Sequence, residues 1–412
     1  MNIQTKKSVD LAIVGGGIFG ASIAYYYKRD NPDKEVIVYE RNELCSGNTS
    51  FAAGLMSRVR SYDYVIPLSL ETYRVIPELE KLTGDQIPVH YDGAIHLAVS
   101  DETVTLLENT LQIASSFGID HEDISSLKAE DMAPWLKASE AKKITFFPGE
   151  ATVDPYLLGM AFINAAKKTG VRFMRKLEVT DLLRNEKTFT GVKTSSGIQR
   201  ADITVLAAGV WSIDLAFNTG ISLPMAPVRS QYWITEISES LFPAHSPTVI
   251  IPEANFFSRP QGNALLFGIR ETDSMVINPH DLPEELTGFI FSEDNGWNDL
   301  VVNYEKLERF FPMADRIGIK NYIAGFSAYT PDNLFIAGEV PGINGLLVAT
   351  GCVGAGISVS GGIGLGIALL AAGRTNPFDF SHYKPDRFGL FDPYSKEHLT
   401  LCAEARSKKT SG

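Results

Sequence analysis

Three glycines, one acid and a few arginines carry most of the chemistry that this chain advertises. Gly15, Gly17 and Gly20 fit G-x-G-x-x-G, a spacing that permits a tight turn, close approach of a diphosphate to the backbone, and close packing of the next helix. An anion bound there meets the free N–H groups and positive dipole end of that helix. Twenty residues beyond Gly20, Glu40 is placed to bond a ribose hydroxyl. A planar guanidinium is the natural partner of a carboxylate, which makes Arg58, Arg60 and Arg259 candidate substrate anchors. Cys352 lies in a glycine-rich segment where it could line a site, although a lone cysteine is more often a small buried apolar residue. The seven histidines show no metal-ligand spacing. No metal is expected, and no catalytic residue is assigned.

The elements that position these residues read as α/β. Residues 9–15 (VDLAIVG) form an apolar run of strand length, and the next residues show helical apolar spacing that Pro32 closes. Glu35 to Tyr39 is a second strand, so the glycines sit in a β-α-β unit that binds a dinucleotide, NAD or FAD. Asp154 and Pro155 read as N-cap and first residue of a helix that Gly170 stops. Val171 to Phe173, Glu178 to Leu183 and Ile203 to Ala208 read as strands. Residues 87–148 and 225–320 mix strands, loops and amphipathic pieces such as 101–117.

At 412 residues the chain has room for two or three domains. Hydrophobic residues at 44% and charged residues at 21% exclude wholesale disorder, and a net charge of −12 argues against nucleic acid. Cys45, Cys352 and Cys402 form no close pair, which fits a reducing cytoplasm. The N-terminal apolar run is rich in glycine and reads as a strand and turn, not a secretory signal. Ile343 to Gly373 lacks charge and is long enough to cross a bilayer. Its many glycines favour a strand, a glycine loop and a buried helix instead.

The motifs together resemble the D-amino-acid oxidase-like family of FAD enzymes, in the branch of glycine oxidase and monomeric sarcosine oxidase. The resemblance spans nearly the whole chain: VDLAIVGGGIFGASIAYYY, VIVYERNELCSGNTSFAAGLMS, TVDPYLLGMAFINAA, VLAAGVWS, PVRSQ, YTPDNLFIAG, GLLVATGCVGAGISVSGGIG and YKPDRF. It implies a Rossmann-type FAD-binding domain from residues 1–86, 149–224 and 321–390. A substrate domain on a mainly antiparallel sheet would come from residues 87–148 and 225–320, with a tail at 391–412.

By resemblance, Gly15, Gly17, Ile18, Phe19 and Gly20 would hold the pyrophosphate, and Glu40 with Arg41 the adenosine side. Ser46, Asn48, Thr49, Ala53, Gly54 and Leu55 would pass the pyrophosphate and the flavin. Val179 would contact adenine, and Ala208, Gly209 and Trp211 the middle of the cofactor. Gly351, Val353, Gly354, Ala355, Gly356 and Ile357 would approach the isoalloxazine, with the helix that follows pointing its positive end at the pyrimidine ring. Gly325 stands where covalent relatives attach FAD through cysteine, so non-covalent FAD is implied.

The substrate side departs from the relatives. Ser327 replaces an arginine that grips the substrate carboxylate in glycine oxidase-like members, and Ser358 replaces a lysine of sarcosine oxidase. Arg58 or Arg60 could match the remaining arginine of that clamp. The resemblance implies oxidation of a C–N bond in an amino acid or N-substituted amine by hydride transfer to flavin, giving an imine that water hydrolyses. The rivals are a 2-hydroxy-acid dehydrogenase, disfavoured because Ala355 stands where a histidine would be, and a flavin-bearing subunit needing partner chains. Matching ALLFGIRE to the strand that carries an oxygen-activating lysine in relatives puts Leu266 at that position. The expectation is a dehydrogenase passing electrons to another acceptor or a partner subunit.

Overall fold

The computed structural model describes residues 6–409, and two eight-stranded sheets dominate it. The first is built on the strand Lys6–Val14, which pairs in parallel with Val36–Tyr39 on one side and Gly197–Leu206 on the other. From Leu11 onward alternate residues of that strand enter opposite cores, Leu11 and Ile13 one, Ala12 and Val14 the other. A parallel strand buried on both faces needs a continuous apolar run, which is what 9–15 supplies. Arg172–Met174 extends the sheet beyond Val36–Tyr39. On the far side Gly197–Leu206 divides its partners: its first half pairs antiparallel with Thr188–Thr194, its last three residues in parallel with Leu346–Thr350.

Four helices cover one face: Ile18–Asp30, Ile66–Thr83, Pro155–Lys168 and Ser360–Ala371. Asp154 caps the third as expected, its carboxylate accepting from Leu157 N at 2.9 Å. The fourth accounts for the glycines after residue 359. A Cβ on Gly362 would lie 2.3 Å from Leu68 Cα, and one on Gly364 would lie 1.8 Å from Ser22 Oγ. These glycines let Ser360–Ala371 cross the first two helices nearly backbone to backbone. No helix among the described residues is long and apolar enough to cross a membrane.

The second sheet runs Ile319–Tyr329, Ala226–Thr235, Ala264–Ile269, Phe256–Gln261, Thr248–Ile251, Ala94–Ala98, Lys143–Phe147, Glu122–Asp123. Every pairing is antiparallel except Thr248–Ile251 with Ala94–Ala98. The mainly antiparallel sheet expected for residues 87–148 and 225–320 is present. Ile319–Tyr329 also belongs to it, pairing along its length with Ala226–Thr235, so residues 321–329 sit in the substrate sheet although they were grouped with the cofactor segments. Ile66–Thr83 and Lys396–Ser407 are among the helices that the sequence pattern does not mark. Ile66–Thr83 carries an internal proline, Pro77. Lys396–Ser407 lies in what reads as a tail, yet it packs on Ala226–Thr235 and Ile319–Tyr329 with Cys402 and Ala405 buried.

Candidate active site

A cavity of about 690 Å³ opens where the two sheets meet, within the range of ligand pockets. At one end lies the glycine turn. Gly15 adopts φ 110°, and a Cβ on Gly20 would fall 2.0 Å from Gly15 O, so Gly20 packs the helix onto the strand and does not line the cavity. Gly17 differs: a Cβ there would meet only Thr49 Oγ1, at 3.2 Å, and otherwise faces the cavity. The Ile18–Asp30 helix starts at Gly17 without a side-chain cap and without an acid in its first turn. Thr49 Oγ1 accepts from Ile18 N at 3.1 Å. That leaves a dipole end suited to an anion.

Glu40 accepts from Gly16 N at 2.8 Å through one oxygen and from Asn42 N at 2.9 Å through the other. The acid thus braces the glycine turn as well as facing the cavity. Arg41 stacks 4.5 Å above the Trp211 ring. Burial pushes its pKa down, against the pull of Glu178, Glu40, Glu284 and Glu285. Trp211 in turn donates to Pro283 O at 3.0 Å. Glu284 and Glu285 line the cavity from a loop with no distinguishing sequence signal.

Most of the expected cofactor residues line this cavity: Gly15, Gly17, Ile18, Phe19, Glu40, Arg41 and, from the next loop, Ser46, Asn48, Thr49, Ala53, Gly54 and Leu55. Val179, Ala208, Gly209, Trp211, Gly325, Gly354, Ala355, Gly356 and Ile357 join them. Gly351 and Val353 do not; they shape the turn instead, with φ 61° and 42°. Val353 is held in its left-handed conformation because its N–H donates to Ala328 O at 2.9 Å. The cradle has polar atoms to spare: Asn48 Oδ1 is buried and accepts no hydrogen bond among the described residues. The open face at Gly17, the helix start with no acid in its first turn and the size of the cavity fit FAD.

At the other end the substrate candidates separate. Arg60, Ser327 and Cys352 line the cavity; Arg58 and Arg259 do not. Arg58 turns away because Glu150, almost wholly buried, takes both its N–H, at 3.0 Å, and its Nε, at 3.4 Å. Arg259 spends its guanidinium on main-chain carbonyls, Ala53 O and, at 2.8 Å, Pro260 O. Arg60 is buried and donates to Ser358 Oγ.

Three cations missed by the sequence reading also line this end: Arg270, Arg406 and Lys409. Arg270 follows the strand Ala264–Ile269, four residues beyond Leu266. Leu266 is buried and is not part of the lining, whereas the Arg270 guanidinium and the Lys409 amine reach the cavity from other positions. Burial pushes Arg270 down to about 10 and Lys409 well below its ordinary range. Outside the cavity lining, tertiary folding gathers His90, Asp92 and His245, whose ligand atoms lie within 4.8 Å of one another. The local spacing of the histidines did not indicate this group.

Comparison with known proteins agrees with this architecture. The chain is 28% identical to human mitochondrial dimethylglycine dehydrogenase over 99% of its length, and it spans only 47% of that longer protein. The crystal structure of glycine oxidase from Geobacillus kaustophilus superposes with a TM-score of 0.76 at 26% identity, covering 93% of this chain and 99% of that one. L-proline dehydrogenase from P. horikoshii shares the fold, with a TM-score of 0.80 at 23% identity over 93% of this chain and 98% of its own. A family model described as DAO, FAD dependent oxidoreductase, matches residues 10–370. The chain belongs to this family of FAD-dependent oxidoreductases.

Proposed function

We propose that the chain oxidises a C–N bond of an amino acid or N-substituted amine, giving an imine that water hydrolyses. The observation that carries this reading is a single cavity joining a dinucleotide cradle to an end lined by arginines and a lysine. The names of the relatives, dimethylglycine dehydrogenase and glycine oxidase, support the same chemistry. FAD, when bound, supplies the hydride acceptor.

The protein's own part is positioning. Gly17 and the first turn of Ile18–Asp30 hold the diphosphate, and the Gly354–Ser358 turn lines the redox end just before Ser360–Ala371, a helix whose Gly361 N–H donates to Thr72 Oγ1 at 2.8 Å. Arg60 orients the substrate carboxylate. Tyr232 and Phe257 wall the cavity and exclude water. No histidine is found among the described lining residues. Burial pushes Tyr232 up to about 12 and raises Tyr329, so neither phenol takes a proton at neutral pH. The amine therefore reacts in its neutral form, and orientation does most of the work. A hydroxy acid, which needs a base to take its hydroxyl proton, finds neither a histidine nor a basic phenol in this lining. The three free thiols fit a reducing compartment.

Anaerobic addition of N-methyl amino acids, then of 2-hydroxy acids, to the purified yellow protein tests the reading. Bleaching of the flavin band by the amines is expected. Bleaching by hydroxy acids alone would replace it with the alternative chemistry.

A further inference from the structure

The substrate end of the cavity holds more positive charge than one carboxylate requires. The acids paired with the arginines around it lie outside the lining and are already committed. Glu271 pairs with Arg229 at 3.1 Å and with Arg406, and Asp299 takes Arg229 at 2.7 Å. Glu150 serves Arg58 and acts electrostatically on Arg60. Among the described residues no ion pair reaches Arg270 or Lys409. Arg270 gives Nη1 to the Lys409 main-chain carbonyl at 2.6 Å, and its buried Nη2 has no hydrogen-bond acceptor among the described residues. Arg270 is 6% exposed. Lys409 Nζ reaches only a neutral acceptor, Val353 O, at 2.6 Å. Of the acids that line the cavity, Glu40, Glu178, Glu284 and Glu285 act on Arg41 at the opposite end, Glu43 pairs with Arg175, and Asp214 accepts from the Tyr394 hydroxyl.

A guanidinium group left with a buried, unpaired N–H is costly, and burial beside Arg60, Arg270 and Arg406 disfavours the charged form of Lys409, a cost that a bound anion would relieve. One substrate carboxylate, placed at Arg60 under the function proposed above, leaves Arg270 and Lys409 unanswered. The oxidised cofactor, being neutral in its ring system, does not answer them either. We propose that the substrate carries a second carboxylate, so that it is a dicarboxylic N-substituted amino acid or amine, and that Arg270 and Lys409 receive this second group. This rests on the C–N oxidation reading for the identity of the reacting group, but not for the anion site. The site is assembled from a strand of the substrate sheet and the residues after the last helix, which explains why the C-terminal segment is anchored here by Arg406.

The test is equilibrium titration of the FAD-loaded protein, followed by the flavin absorption band, at fixed ionic strength and neutral pH. Succinate is compared with propionate, and glutarate with butyrate. One extra charged hydrogen-bonded contact predicts a dicarboxylate affinity roughly ten- to a hundredfold above its matched monocarboxylate. Lys409→Met and Arg270→Gln should each remove most of that preference while leaving monocarboxylate binding nearly unchanged. Retained flavin and an unaltered thermal transition qualify each variant as folded, and Lys409→Met, at a half-buried position, stands if Arg270→Gln does not fold. Equal affinity within matched pairs, no binding of either dicarboxylate, or equal loss of both ligand classes in the variants overturns the proposal. If dicarboxylates bind preferentially but no amine bleaches the flavin, the anion site stands and the C–N reading falls. If amines bleach it and matched pairs bind equally, this inference alone fails.

Discussion

The Lys409 ammonium donates to the Val353 carbonyl at 2.6 Å, tying the segment after the last helix to the strained glycine turn beside the cavity. Val353 is β-branched and sits at φ 42°, a conformation that persists only when its surroundings over-determine it. Ala328 O holds its N–H and Lys409 holds its carbonyl. Arg406, one turn earlier, fixes the same segment through Glu271 and, at 2.9 Å, Ser274 Oγ. Arg406→Met removes a buried charged contact and should destabilise the protein by about 1.5–3 kcal/mol, because Glu271 retains Arg229. Chemical denaturation measures it, and a midpoint unchanged from wild type would show that the segment contributes nothing.

Gly17 and Gly20 should respond oppositely to a side chain. Space around Gly17 is limited only by Thr49 Oγ1 and the cavity, so Gly17→Val should fold and yet be purified without flavin. Gly20→Ala puts its methyl against Gly15 O and should lower stability itself. Flavin content per chain and the thermal transition separate the two effects. A full complement of FAD in Gly17→Val would remove the glycine turn from the cofactor site.

Arg60 and Arg58 should likewise part company. Arg60→Met should raise KM by a factor equivalent to roughly 1.5–3 kcal/mol, the size of a lost charged hydrogen bond. Arg58→Met should leave KM near its wild-type value and instead lower stability, because Glu150, already raised by burial, loses its partner. Steady-state kinetics with the best substrate, set beside unfolding curves, reads both. Unchanged KM in Arg60→Met would take Arg60 out of substrate recognition.

His96 gives the protein an acid-sensitive point. Burial, helped by the Arg60 charge, pushes its pKa from 6.5 down to about 4. Between those values the unfolded chain binds a proton that the folded chain refuses, so stability falls as pH drops from 6.5 towards 4, by an amount on the order of a few kcal/mol. His96→Gln should flatten this slope. Thermal unfolding across that window, wild type against variant, checks it, and parallel curves would assign the acid sensitivity to other groups.

Local patterns determined the nucleotide half of this protein. The apolar run 9–15, the glycine spacing and Glu40 belong to one contiguous β-α-β unit, so strand, turn and helix start are set by neighbours in the chain. The Asp154-Pro155 cap was legible for the same reason. What surrounds the substrate was decided by tertiary structure. Arg58 and Arg60 are two residues apart, yet buried Glu150 draws one away while the other faces the cavity. Arg259 is consumed by backbone carbonyls that only the folded chain presents. Arg270 and Lys409 are 139 residues apart and meet because the last helix packs on the second sheet. Such contacts have no period and no motif: a helix whose buried face is short and mixed leaves a weak trace in sequence. The positive charge at the substrate end is therefore a property of packing, written in the chain only as scattered basic residues.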